Sequence, residues 1–189
     1  NRLTRRETIF NVSELLQSFE STPGAHSSDT GSDQAQATLK SALLDSVRHH
    51  LVADVPVGLF LSSGIDSAVL TGLAAEVGGK MHTVTLGFPE FRGTSDDETP
   101  LAEETARHYG TTHQTEVITK RAFHEEFLNI LSAMDQPSID GVNSYLVAQV
   151  AARRGLKVAL SGVGADELFA GYSHFWQLPK LTEKTKWIS

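Results

Sequence analysis

Val55-Pro56-Val57-Gly58-Leu59-Phe60-Leu61-Ser62-Ser63-Gly64-Ile65-Asp66-Ser67 runs an apolar segment straight into a loop of small, hydroxylated residues. The continuous apolar character of residues 55–61 is what a strand buried on both faces of a sheet requires. Beyond the loop, Val69, Leu70, Leu73, Ala74 and Val77 recur at helical spacing, and Gly78-Gly79 ends the helix. That helix is expected to start near Asp66 or Ser67, which turns its free N–H groups and positive dipole end toward the loop. Ser62, Ser63 and Ser67 supply hydroxyl donors, and Gly64 is expected to give a tight turn and a close approach to a ligand. Such a loop suits phosphate or pyrophosphate.

A second stretch has the same design. Residues 157–160 are strand-like and lead into Ser161-Gly162-Val163-Gly164-Ala165-Asp166-Glu167-Leu168-Phe169-Ala170-Gly171-Tyr172. The segments around and between the two stretches alternate. Leu39, Leu43, Val47 and Leu51 form one apolar helical stripe, residues 81–88 read as a strand, and residues 100–109 as a helix stopped by Gly110. A short strand over 115–118 follows, then a helix marked by Phe123, Phe127, Leu128, Leu131 and Met134. Another is marked by Val142, Tyr145, Leu146 and Val150. This rhythm predicts the α/β class, a parallel sheet with helices on both faces. Ligands of such sheets bind beyond the carboxyl ends of the strands, so the two loops are expected to share one crevice.

Each loop carries an acid, which by itself would repel an anion. Mg2+ resolves the conflict, since it is held by one or two carboxylates together with phosphate oxygens. Asp66 and Asp166 are therefore the expected metal ligands and catalytic carboxylates. The alternative for each is a helix N-cap. The pair points to ATP and to chemistry at phosphorus. Three commoner loops do not fit. Lys80 follows a Gly pair but precedes Met81, Gly162 and Gly164 are followed by Glu167 where a dinucleotide fingerprint needs a third Gly, and neither Ser62 nor Ser63 has a Gly two residues before it.

The first stretch resembles the S-G-G-x-D-S pyrophosphate loop of the PP-loop ATPases. The second resembles the S-G-x-G-A-D-E-L-F-G-G-Y stretch of the glutamine-hydrolysing asparagine synthetases. Gly87-Phe88, Phe91-Arg92-Gly93, Asp97-Glu98-Thr99-Pro100 and Asp135-Gln136-Pro137-Ser138 also look like that family, and the likeness covers about residues 37–175. The resemblance implies an adenine-nucleotide alpha-hydrolase-like fold and a ligase. ATP would adenylate the side-chain carboxylate of aspartate with loss of pyrophosphate, and ammonia would displace AMP to give asparagine. It implies that Ser62, Ser63, Gly64 and Ser67 cradle pyrophosphate and that Asp66 and Asp166 hold Mg2+. Phe60 or Leu61 and Leu86 would line the adenine pocket, with backbone groups reading the base edge. Ser161 and Gly162 would lie against the adenylate. Glu98 and Asp135 are weaker candidates for the substrate side, with helix-start and turn roles as their alternatives.

The sequence departs from that pattern in several places. Ser63 replaces the first Gly of the loop, which is tolerated if the backbone there is not left-handed. Val163 stands where the family carries a Glu, which opens the question of the acceptor. Ala170 replaces a Gly, with little effect expected. The family also has a glutaminase domain with a Cys nucleophile, and further helices after the second motif. This chain has no Cys, so it is expected to be a piece of a larger enzyme.

Composition bounds the rest. The chain has 189 residues, 40% hydrophobic and 21% charged, with a formal charge of −7, which fits one globular domain and argues against a nucleic-acid partner. Residues 1–36 read as an N-terminal segment and a Ser/Gly/Asp/Gln-rich linker, and residues 37–189 as the synthetase domain. The longest apolar run is far below the ~20 residues a bilayer span needs, so a soluble, cytoplasmic protein without a membrane partner is expected. The expected partners are ATP, aspartate, ammonia and the missing glutaminase domain, with a homodimer allowed. Three other functions compete: a β-lactam-synthetase-like enzyme with another acceptor, a tRNA-modifying PP-loop enzyme, and a nucleotide-binding module without catalysis. The 8 His lack metal-site spacing, and the acidic run Ser95-Asp96-Asp97-Glu98 lacks that of a calcium loop.

Overall fold

The computed structural model of the protein describes residues 32–178, apart from Pro137 and Trp176. The chain divides into Asn1–Ala42 and Leu43–Ser189. In the first unit, the described residues belong to helix α1 (Ser32–His50), which starts inside the stretch of linker composition. The N-terminal segment and most of that linker lie outside the described residues. Leu39 is 45% exposed.

The second unit is built on four strands: β1 (Val57–Phe60), β2 (His82–Gly87), β3 (Thr112–Val117) and β4 (Val158–Leu160). Their order is β3-β2-β1-β4, and all three pairings are parallel. Parallel neighbours need helical crossovers. These are α2 (Ile65–Val77), α3 (Thr99–His108), α4 (Lys120–Ala133) and α5 (Ile139–Arg153), with a short α6 (Ala165–Phe169) after β4. The register aligns Leu59 with Thr83 and Phe60 with Val84, which sorts the side chains to two faces. Leu59, with Leu43, Leu44, Val47, Leu70, Leu73, Ala74 and Leu160, forms one cluster with α2 and the end of α1. Leu61 packs on the same face with Ala102 and Ala106 of α3. On the other face Val84 and Leu86 meet Phe123, Ile130, Leu146 and Val150 of α4 and α5. Helices therefore cover both faces, and the α/β parallel sheet expected from the β-α rhythm is what forms. Gly58 makes one close approach possible, since a Cβ there would lie 2.6 Å from Leu156 Cδ1.

Caps fix the helix starts on the second face. Thr119 accepts the Ala122 N–H ahead of α4, and Ser138 accepts the Gly141 N–H ahead of α5. Strand β3 begins at Thr112, three residues before the expected start. It is an edge strand, exposed at both ends and half-buried in its middle, so its Thr-His-Gln-Thr-Glu sequence carries no apolar run to announce it.

The backbone corrects one expectation and supports another. Ala170 closes α6 with φ 55 and ψ 42, the left-handed region. A Cβ there costs about 1–2 kcal/mol, so Ala in place of Gly is not neutral. Ala170→Gly is expected to raise unfolding stability by about 1 kcal/mol, read as a higher urea midpoint at unchanged slope. Among the described residues Ala170 is the one non-Gly with positive φ. Ser63 therefore meets the condition under which it is tolerated.

Candidate functional site

In the order β3-β2-β1-β4 the chain steps outward from β1 through β2 to β3, then returns to the other side of β1 for β4. The point where the direction of winding reverses lies between β1 and β4, and the crevice beyond the carboxyl ends there is the binding position of such sheets. Both loops leave from those two strands. They meet at Gly162, where a Cβ would lie 3.0 Å from Asp66 Cβ and 3.1 Å from both Asp66 C and Ser67 N. A Cβ at 162 would require the facing loop to give by a few tenths of an ångström.

The first loop is fastened from within. Ser67, 7% exposed, accepts the Ser62 N–H at 3.1 Å and lies 2.9 Å from Ser62 Oγ. Its hydroxyl is also within donating distance of Gly64 O, at 3.0 Å. Ser62 Oγ accepts the Gly64 N–H at 3.2 Å. Gly64 is the N-cap of α2 with φ −73 and ψ 150, a conformation open to any residue. A Cβ there would sit 3.2 Å from Ser62 Oγ, a contact relieved by a shift of a few tenths of an ångström. The amides of the first turn of α2 have no partner within the helix and face the loop end. In the second loop, Ser161 Oγ accepts the Val163 N–H at 3.3 Å. Gly164, at φ 99, caps α6.

Neither Asp is an N-cap. Those positions fall to Gly64 and Gly164, and Asp66 and Asp166 each lie in the first turn of their helices. The N-cap alternative is therefore overturned for both. Asp66 holds its proton above the ordinary carboxylate value, first through partial desolvation, then through repulsion from Asp166 and Glu167. A Cβ at Gly171 would collide with the Asp166 carboxylate, so that side chain would have to turn to make room.

These residues line a cavity of about 1340 Å³. Phe60, Leu61, Ser62, Gly64, Asp66, Ser67, Leu86, Ser161, Gly162 and Asp166 are on its wall, and Ser63 is not. Phe60 and Leu86 lie at neighbouring strand ends on one face. Leu61 is different. Its side chain packs on the opposite face with Ala102 and Ala106. Its N–H donates to Val84 O, and its carbonyl accepts from Thr85 Oγ1.

Glu98 reaches the cavity, but Asp135 lies in the turn after α4, off its wall. Asp97 staples the approach to α3 by accepting the Gly93 and Thr99 N–H groups at 3.0 and 3.2 Å. The Gly93 bond above all holds its carboxyl below the ordinary value.

Sequence reasoning passed over Glu167 and Tyr172. Tyr172 donates to Glu167 Oε1 at 3.2 Å, and both line the cavity. Their place in the second motif was the available signal. Val163, 91% exposed, is also on the wall.

The lining is acidic: Asp66, Asp96, Asp97, Glu98, Asp140, Asp166 and Glu167, with no Lys or Arg among the described lining residues. A polyphosphate entering here needs a cation between itself and those carboxylates. Among the described residues no group of three or more His, Cys, Asp or Glu is placed to hold a metal ion, so Asp66 and Asp166 offer at most a pair of carboxylates, the number that Mg2+ bound to phosphate oxygens takes. Among the described residues no helix is long and apolar enough to cross a membrane.

Comparison with known proteins gives a consistent answer. A family model, asparagine synthase, matches residues 38–189. Glutamine-hydrolysing asparagine synthetase 1 of Bacillus subtilis is 39% identical over 146 residues, 76% of this chain and 22% of that protein. Asparagine synthetase B of Escherichia coli is 28% identical over 163 residues, 77% of this chain and 28% of that protein. The chain thus spans between 22% and 28% of the length of these two relatives. Among solved structures, a glutamine-dependent NAD+ synthetase from Acinetobacter baumannii in complex with ADP shares the fold with TM-score 0.50. It is 22% identical, and the match covers 71% of this chain and 27% of the other.

Proposed function

This chain belongs to the asparagine synthase family, and from that premise we propose that its crevice performs ATP-dependent amide formation through an acyl-adenylate. The observation that carries the proposal is the contact of Gly162 with Asp66 and Ser67. It joins two anion-suited loops, each bearing a carboxylate, at the winding reversal of a parallel sheet.

In this reading the Ser62–Ser67 loop and the first-turn amides of α2 receive the β- and γ-phosphates of ATP. Phe60 and Leu86 flank the base. Asp66 and Asp166 hold Mg2+, which when bound neutralises phosphate charge. The side-chain carboxylate of aspartate attacks the α-phosphorus, a new P–O bond forms, and pyrophosphate leaves with the electron pair of the broken P–O bond. Ammonia then attacks the activated carbonyl, loses a proton, and AMP departs to leave asparagine. Loops that hold both reactants in line lower the entropic part of the barrier. Their amides and hydroxyls meet charge as it develops. A glutaminase domain would supply the ammonia, and the cytoplasm, where ATP and aspartate are at hand, is the proposed setting.

The exposed Val163 on the cavity wall favours a second reading in which the acceptor is a different carboxylate. Exchange of labelled pyrophosphate into ATP, run with aspartate and then with other amino-acid carboxylates, separates the two. Aspartate-dependent exchange supports asparagine formation. Exchange with another carboxylate alone moves the acceptor, and exchange with none overturns adenylation.

A further inference from the structure

Strand β1 becomes a loop at Leu61. The Leu61 N–H makes the last rung of the ladder, donating to Val84 O at 2.9 Å. Its carbonyl does not continue the ladder. It accepts instead from the hydroxyl of Thr85 on β2, at 2.6 Å and 24 residues away in sequence. The next amide, Ser62 N–H, has already turned to Ser67 Oγ. Thr85 is 1% exposed, so its hydroxyl is out of reach of water and of any ligand. A buried carbonyl has to be paired, and a β-branched side chain with few rotamers satisfies it in one orientation. Within α2, Thr71 Oγ1, 0% exposed, donates to Ser67 O one turn back at 2.8 Å, the ordinary back-bond of a helical Thr.

We propose that Thr85 is a positioning residue for the loop: its hydroxyl fixes the Leu61 peptide where β1 ends, and through it the orientation of Ser62 to Ser67 toward the cavity. The choice of ATP as the ligand rests on the function proposed above, while the effect on the loop does not.

The test compares Thr85→Val, which keeps the shape and loses the hydroxyl, with Thr85→Ser, which keeps the hydroxyl. Amide hydrogen exchange at Ser62 and Ala68, measured without nucleotide, is expected to accelerate about tenfold or more in the Val variant and to stay near wild type in the Ser variant. In pyrophosphate exchange the Val variant is expected to raise KM for Mg-ATP about tenfold while KM for the carboxylate substrate stays within about twofold, with Ser restoring the wild-type value. Unfolding alone lowers the active fraction and moves neither KM. Unchanged loop exchange in the Val variant, or equal damage by Ser and Val, overturns the proposal. If the wild-type protein shows no pyrophosphate exchange, the functional reading fails and loop hydrogen exchange alone decides the role of Thr85. If the Val variant does not fold, the Ser variant decides: wild-type loop exchange supports the role and accelerated exchange overturns it.

Discussion

Asp66→Asn and Asp166→Asn are each expected to slow ATP-dependent pyrophosphate release by about 10²- to 10³-fold, the scale on which one oriented electrostatic partner of a transition state acts. The fold should survive both changes. Asp66 carries a raised carboxyl because desolvation and the charges of Asp166 and Glu167 disfavour its ionised form. Removing either charge relieves that repulsion. A carboxyl raised in the folded state favours folding as pH falls through its titration and disfavours it as pH rises above. The metal-free Asn variants should therefore lose part of the wild-type stability decline on going from acid toward neutral pH. Rate measurements across Mg2+ concentration, paired with thermal unfolding, check both halves. Rates within threefold of wild type at every Mg2+ level would remove the two carboxylates from the chemistry.

Gly162→Ala is expected to be nearly as damaging for a purely steric reason. The added Cβ would meet Asp66 Cβ, Asp66 C and Ser67 N at 3.0–3.1 Å, and two of those atoms are main chain in the first turn of α2. Main chain yields less readily than a side-chain end, so the start of α2 is expected to give by a few tenths of an ångström. Overpacking of this kind costs about 1–3 kcal/mol of stability. Displacing reactive groups by a fraction of an ångström to 1 Å costs up to about 10²-fold in rate. The expected result is a kcat/KM for ATP lowered by about 10- to 10²-fold, with a folded protein by circular dichroism. Wild-type turnover in the Ala variant would mean that the two loops do not act together.

Legibility of the site followed the physics of each residue. The apolar run at 55–61 is what a strand buried on both faces requires, and β1 lies within it, paired on both sides. The two small-residue loops were readable because each directly follows a strand. Their sharing of one crevice was expected from the strand ends, but the contact between them was not readable, because it depends on a missing side chain at Gly162. Gly64 was assigned a conformational role that its φ of −73 does not need, and a sequence does not distinguish a turn glycine from one that makes room. Leu61 lines the cavity as its position suggested, but the sequence did not show that its side chain packs with Ala102 and Ala106. Thr85 gave no signal at all. A Thr in a strand is ordinary, and only the hydrogen bond to Leu61 O marks it. The strain at Ala170 was hidden for the same reason, since backbone dihedrals do not show in composition.

Calorimetric titration of the protein with ATP, with and without Mg2+, tests the central claim most directly. Saturable binding that requires Mg2+ and is lost in Asp66→Asn and Asp166→Asn is the predicted result. It would follow from an acidic crevice that admits a polyphosphate only with a cation between them. ATP binding of equal strength with and without Mg2+, unaffected by either substitution, would contradict it.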